Sequence, residues 1–447
     1  MKVLCMDNAS NNKKVQKIFG AEVDDMWCLI HTSQLAVGDL FKDYVGLVDV
    51  AKVIEKCQTL AVKSRKKDSF LSALVKACHA TKTKFIKPVL QNATRWNSKH
   101  DNLVSVLRLK VPLQHVANND VTGDLASLIL TPMEFEAAAG LVACLEPLKI
   151  ATKLWEKDLE PTLHLAVTEL YNVKVSLEKL SQDANSSIKK FSSRFKDLLE
   201  KRIPKCGTQN KLYRVAHLID PQSRGVILQL PEFSCYDSAK EELISLCRKY
   251  EPELSSVATD IHPDLENIDD DDTSLTAVQK LIKRRRMSGN SVQATSPMSK
   301  AEIEFSNFEN MEITEEESKN GLQFFADRRE RFPILSRVYR DIMSIPVSSA
   351  SSERAFSIGK KTATPYRANL DPRKVEELII LKLNTDNVRE YMEQHDISVE
   401  KVNDLQHNDN RSATAFTDMA DVQGILSDTD SDDDDTDIED NMNDIWS

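Results

Sequence analysis

The chain has 447 residues, 41% hydrophobic and 29% charged, which suits a globular protein of several domains with ample core. Its net charge of −11 comes almost wholly from ten acidic residues between Asp428 and Asp444, a stretch with no basic residue, so the rest sits near −1. No apolar run reads as a membrane span, and the start lacks a secretory-signal pattern. The eight cysteines (Cys5, Cys28, Cys57, Cys78, Cys144, Cys206, Cys235, Cys247) follow no disulfide framework, so an intracellular protein with reduced, buried thiols is expected.

In chain order, Val3-Leu4-Cys5-Met6 reads as a strand buried on both faces, ending at Asp7 and the polar turn NASNN. Val15, Ile18 and Phe19 then share a helical face, with Gly20 as a C-cap. A second apolar run, Trp27-Cys28-Leu29-Ile30, reads as a strand ending at His31, and Leu35, Ala36 and Leu40 mark another helix. This order predicts an α/β layer, with Asp7 and His31 at the carboxyl ends of strands, where functional groups gather.

Between Lys63 and Lys87 the basic residues Lys63, Arg65, Lys66, Lys67, Lys76, Lys82, Lys84 and Lys87 face one acid, Asp68. The patch has two readings, a solvated helix face or a nucleic-acid contact.

From about Leu103 to Cys247 the pattern is helical. Thr131-Pro132-Met133-Glu134 is a capping box ahead of Phe135, Ala138, Ala139, Val142 and Leu145. Two further stripes follow, one through Leu163, Ala166, Val167, Leu170, Val173, Leu177 and Leu180 and one through Ile188, Phe191, Phe195, Leu198 and Leu199. Residues 251 to 302 lose this periodicity and read as a linker, within which Lys283-Arg284-Arg285-Arg286 serves equally as a nuclear import signal or an ordinary basic cluster. Ile334, Leu335, Val338 and Ile342 then define a helix ending before Pro346. SSASSERAFSIG starts a second, and Asp371-Pro372 caps a third bearing Val375, Leu378, Ile379 and Leu383. After about Asn387 the sequence turns polar and then acidic.

Taken singly, the chemical candidates are open to two readings. Asp7 is a metal ligand or a helix cap; Glu353 is a ligand or a residue favoured by its helix dipole; Trp96 in ATRWNS is core or a ring for stacking on a base beside Arg95. Cys28 and His31 supply half a zinc site, but no second pair follows at usual spacing, so no structural zinc is expected.

In order, DNASN, the C-x-x-H of Cys28 and His31, RWNS, LYRVAHLIDP and the block FPILSRVYRDIMSIPVSSASSERAFSIGKKTATPYRANLDPRKVEELIILKLN resemble the hAT (hobo/Activator-type) superfamily of transposases and its domesticated BED-zinc-finger relatives. The last block resembles that family's C-terminal dimerisation region, and the likeness extends more weakly from Met1 to about Asn387.

The resemblance implies an α/β plus all-α fold, a partial RNase H-like core interrupted by a large helical insertion. Its parts would be the partial core at 1–100, the helical insertion at 101–250 and a linker and disordered loop at 251–315. A C-terminal dimerisation region at 316–387 would complete the core, and a disordered acidic tail would follow at 388–447. By the family's pattern Asp7 and Glu353 would be two of three carboxylates holding Mg²⁺ or Mn²⁺ for strand cleavage. Cys28 and His31 would lie close to the active site, and Trp96 would handle the cleaved DNA end beside Arg95. Lys63, Arg65, Lys66 and Lys67 would contact DNA. Phe332, Ile334, Leu335, Val338, Phe356, Val375, Leu378 and Ile379 would carry dimerisation. The family's first acid and BED finger have no counterpart, so an N-terminally truncated, catalytically incomplete relative is expected. Its function would be protein dimerisation, as a homodimer or higher oligomer, together with DNA association in the nucleus and no membrane partner. The alternatives are an active transposase once upstream residues are restored, and a nuclear DNA-binding regulator or scaffold.

Overall fold

A computed structural model describes residues 3–7, 14, 24–66, 68–92, 96–119, 126–250, 299–362 and 371–394. The chain divides into two compact units, Met1–Ser349 and Ala350–Ser447.

The first unit opens on strand β1 (Val3–Met6), which pairs in parallel with β2 (Asp24–Trp27), Val3 opposite Asp24 and Met6 opposite Trp27. The predicted helix around Val15–Phe19 lies outside the described residues. The second apolar run does not continue as a strand through Ile30. β2 stops at Trp27, Cys28 caps a helix, and α1 occupies Leu29–Phe41. A backbone bond from Cys28 N to Met6 O (2.7 Å) closes the ladder just before the chain turns. A short antiparallel hairpin follows, β3 (Tyr44–Val45) and β4 (Val48–Asp49), with Gly46 at φ +68° in its turn. The two pairs are the only sheets among the described residues, and the chain is mostly helical.

Helices α2 (Val50–Lys66) and α3 (Asp68–Ala80) lead through an extended segment to α4 (Trp96–Arg108) and α5 (Lys110–Asn118). The helical subdomain follows, with α6 (Pro132–Trp155), α7 (Leu165–Leu180) and α8 (Ser186–Arg202) packed on one another. The predicted capping box forms: Thr131 Oγ1 accepts from Glu134 N, and the Glu134 carboxylate accepts from Thr131 N at 2.8 Å. By length and composition alone, Ala126–Trp155 could cross a membrane. Phe135, Leu141, Leu145, Leu148 and Trp155 are nevertheless fully buried against α4, α7 and α8, the setting of a core helix. The predicted stripes on α7 and α8 face the same core. Gly140 lets α6 and α8 approach, since a Cβ there would meet Phe191 Cδ2 at 2.7 Å.

Next come α9 (Lys211–Ile219), capped by Asn210, and α10 (Tyr236–Cys247). The expected linker at 251–315 is corrected at its end. Residues 251–298 lie outside the described residues, but Ser299 and Glu302 form a second capping box that starts α11 (Lys300–Asn310). α12 (Glu315–Ser318), α13 (Gly321–Asp327) and α14 (Pro333–Met343) complete the unit around an aromatic cluster of Phe305, Phe308, Phe324, Phe325, Phe332 and Tyr339.

The second unit holds α15 (Ala350–Thr362), α16 (Pro372–Leu383) and α17 (Thr385–Gln394). Asp371 caps α16 by accepting from Arg373 N (2.8 Å), with Pro372 at the first turn as expected. Helix α17 extends past Asn387, where a disordered tail was expected; residues 395–447 lie outside the described residues.

Candidate functional site

Asp7 follows β1 directly and is half-buried, at the carboxyl end of the parallel pair. His31 is displaced from its expected strand end into the first turn of α1, because Cys28 acts as the N-cap: its sulfur accepts from His31 N (3.4 Å). The same sulfur accepts from Ser349 N (3.3 Å), and Leu29 N donates to Val347 O (3.1 Å). Val347 N in turn donates to Thr162 Oγ1 (3.1 Å), and Ser348 Oγ to Trp155 O (3.1 Å). The segment 347–349 is thereby pinned between the start of α1 and the end of α6. The cysteine of C-x-x-H is a buried fastener for the returning segment 347–349. Beneath it, burial pushes the Cys5 thiol up to about 12 and also raises the Tyr213 phenol, so both are neutral. Tyr213 Oη donates to Trp27 O (3.3 Å), tying the α9 motif to the end of β2.

His31 and Trp96, far apart in sequence, meet in one pocket of about 230 Å³ lined by His31, Gln34, Leu35, Gly38, Asp39, Phe41, Lys42, Trp96 and Lys99. Trp96 is 5% exposed, so its ring is part of the pocket wall and no free-standing stacking platform. Lys99, three residues on along α4, holds its ammonium 5.3 Å from the centre of the Phe41 ring. Asp39 is paired with Arg202 of α8 (2.7 Å), leaving His31, Lys42 and Lys99 to set the pocket's polarity. Gln34, Asp39, Lys42 and Lys99 were not singled out by sequence; the one available signal was Lys99 a helical turn from Trp96 in RWNSKH.

The position of Trp96 and Lys99 depends on a buried ionic cluster at the next turn of α4. His100, 1% exposed, lies between Asp101 (Nδ1 to Oδ1, 3.3 Å) and Glu146 of α6 (Nε2 to Oε2, 2.9 Å), and Lys149 of α6 reaches Asp101 at 2.5 Å. Burial alone would lower the His100 pKa, but the two carboxylates outweigh it and raise it. Burial likewise works to raise Asp101 and Glu146, yet contact with His100, joined by Lys149, holds both below the usual carboxylate range.

The basic patch divides. Arg65 donates to the carbonyls of Ala61 and Pro88, fastening the end of α2 to the extended segment, and burial lowers its pKa. Lys66, Lys76, Lys82, Lys84 and Lys87 are exposed and Lys63 is half-buried; Lys67 and Arg95 lie outside the described residues.

Glu353 is exposed in the first turn of α15, in the second unit. Among the described residues no group of three or more His, Cys, Asp or Glu side chains gathers as a metal site, so no catalytic step is derived through a metal ion. Phe332, Ile334, Leu335 and Val338, expected at a dimer interface, are buried in the aromatic cluster of the first unit. Val375, Leu378 and Ile379 are half-buried on α16, and Phe356 on α15 is 79% exposed.

Within the first unit, a small parallel strand pair and many helices are joined by segment 347–349, which returns to the start of α1. Residues 303–385 match the hAT family C-terminal dimerisation region. Over 374 residues, 79% of this chain and 43% of the relative, it is 22% identical to "Putative AC transposase" of Zea mays. It is 41% identical over 61 residues to "Putative AC9 transposase" of Zea mays (14% of this chain, 7% of the relative). "Zinc finger BED domain-containing protein DAYSLEEPER" of Arabidopsis thaliana is 36% identical over 58 residues (13% and 8%). The chain spans less than half the length of these curated relatives. The chain is thus similar to hAT transposases over most of its length and carries a match to their C-terminal dimerisation region.

Proposed function

We propose that this chain is a self-associating, DNA-binding member of the hAT superfamily that receives a DNA strand at the His31–Trp96 pocket. The observation that carries the reading is the convergence of two distant motifs, C-x-x-H and RWNS, on one cavity bordered by Lys42 and Lys99. A pocket with an aromatic wall and two ammonium groups suits a nucleotide, because the cations attract phosphate while the ring offers apolar contact to a base. The exposed lysines Lys66, Lys76, Lys82, Lys84 and Lys87 would extend the electrostatic path. An RNase H-like arrangement around β1 and β2, with Asp7 and Glu353 descended from Mg²⁺ or Mn²⁺ ligands, belongs to the same reading, and so does a nuclear location.

The test is fluorescence anisotropy with a labelled oligonucleotide over a salt series. Binding that weakens steeply with salt is expected, with Lys42→Ala and Lys99→Ala each lowering the slope of log K against log salt by roughly one. Absence of binding at low salt, or slopes equal to the parent's, would remove the pocket from the reading.

A further inference from the structure

Helix α4 carries both a wall of the pocket and the cluster that fixes that wall. Trp96 and Lys99 line the cavity, while His100 and Asp101 are engaged with α6. Toward the extended segment before it, α4 is held by neutral hydrogen bonds that do not titrate. Asn102 Nδ2 donates to Val89 O (2.5 Å), Val89 N to Ser105 Oγ (3.0 Å) and Asn92 N to Ser98 Oγ (2.7 Å). Toward α6 it is held by an ionic cluster that turns on one imidazole.

Each ring nitrogen of the buried His100 faces a carboxylate oxygen, Nδ1 toward Asp101 and Nε2 toward Glu146. A neutral imidazole has one N–H and one lone pair, so it satisfies one of these oxygens and sets its lone pair against the other. Only the imidazolium serves both. Asp101 keeps Lys149 as a second cation whatever the state of the ring, whereas Glu146 has no ion pair besides that with His100 among the described residues. Loss of the ring proton therefore falls on the His100–Glu146 contact, which joins α4 to α6. Of the other helices packed on α4, α1 brings His31, Asp39 and Lys42 to the pocket, and α2 brings Lys56, paired with Glu134 at 2.7 Å. Helix α5 carries His115 and Lys110, whose ammonium lies 5.7 Å from the centre of the Phe135 ring.

We infer that His100 is a positioning residue for the pocket: its doubly protonated ring holds α4 against α6 so that Trp96 and Lys99 stand where a strand is received, and loss of one proton releases this wall and weakens binding. This role deepens the strand-binding reading of the pocket and rests on it for the ligand. Proton and strand are then linked ligands, each tightening the hold on the other.

The test is fluorescence anisotropy of the full chain with a labelled single-stranded oligonucleotide at fixed ionic strength, between about pH 6 and pH 9. Every protein in the series carries His31→Gln, which removes titration of the pocket's own histidine, and circular dichroism verifies folding. The reference protein should lose affinity about tenfold across this range. The midpoint should lie above the ordinary histidine value, because the two carboxylates raise the His100 pKa. His100→Gln should bind about tenfold more weakly than the reference at the acidic end and equally at the alkaline end. Glu146→Gln separates positioning by the proton from mere structure. Its amide can donate to a neutral Nε2 while Nδ1–H serves Asp101, so it should bind tightly at both ends of the range. Equal losses at every pH in both variants, or a Glu146→Gln profile like that of the reference, overturn the role. Emission of Trp96 without oligonucleotide, taken as the difference from Trp96→Phe, reads the same wall directly. It should change with pH in the reference protein and stay flat in Glu146→Gln. A reference protein that binds no oligonucleotide removes the strand-binding reading, and the Trp96 emission then decides the role of His100 by itself: a flat profile in the reference overturns it.

Discussion

His100 is the residue whose environment departs most from its sequence context. Nothing in RWNSKHD marks a histidine that holds two helices together, yet it joins Asp101 to Glu146 at 1% exposure. Its raised pKa means the folded state binds the proton more tightly than the unfolded chain. That stabilisation is complete below the unfolded histidine pKa and is lost as pH rises through the folded value. Asp101 and Glu146 run oppositely: their lowered values give stability that is present above the unfolded carboxylate range and lost as pH falls through the folded values. The thermal stability that this contact contributes should therefore be greatest in the mildly acidic range and weaken toward alkaline pH. His100→Ala should destabilise by about 3 kcal/mol, by leaving two carboxylates against Lys149 alone, and should flatten the alkaline limb. An unchanged pH profile in that variant would show the cluster to be inert. The role of Cys28 was not legible: its sulfur accepts two backbone amides, from His31 and Ser349.

At the scale of elements, the helices came through most directly, because local rules govern them. Thr131–Glu134 and Asp371–Pro372 satisfy free amides within one turn, and the α7 and α8 stripes repeat with the helical period. The cap of α14 is different. Phe332 makes no side-chain cap, and the amides of Ile334 and Leu335 are instead taken by the Glu304 carboxylate of α11 at 3.0 Å, thirty residues upstream. A buried carboxylate at a helix N-terminus is favoured by both the hydrogen bonds and the dipole. Glu304→Ala should cost about 2–3 kcal/mol in denaturant unfolding, since two buried amides lose a charged acceptor. A loss of only a few tenths of a kcal/mol would mean that water replaces the carboxylate. Gly140→Ala is expected to lower stability by about 1–3 kcal/mol, because Phe191 and the backbone of Ser187 both obstruct a methyl group. The end of β2 was misjudged for a related reason: Trp27-Cys28-Leu29-Ile30 is apolar throughout, and only the Cys28 cap decides where strand gives way to helix.

For the whole molecule, the chain's two terminal regions answer different questions. The segment 347–349 returns to the start of α1, so the first unit draws its opening strand pair and part of the matched dimerisation region into one body. Asp7 and Glu353 fall in different units, and no three-ligand cluster forms among the described residues. By itself the sequence determined the helical stripes and the caps, because period and local hydrogen bonding are properties of neighbouring residues. Only the tertiary structure decided which apolar faces are consumed and which remain. Leu335 and Ile380 occupy similar amphipathic patterns, yet one is buried under phenylalanines and the other faces outward. Burial is set by what packs across the chain, and a single strand of sequence does not contain that information.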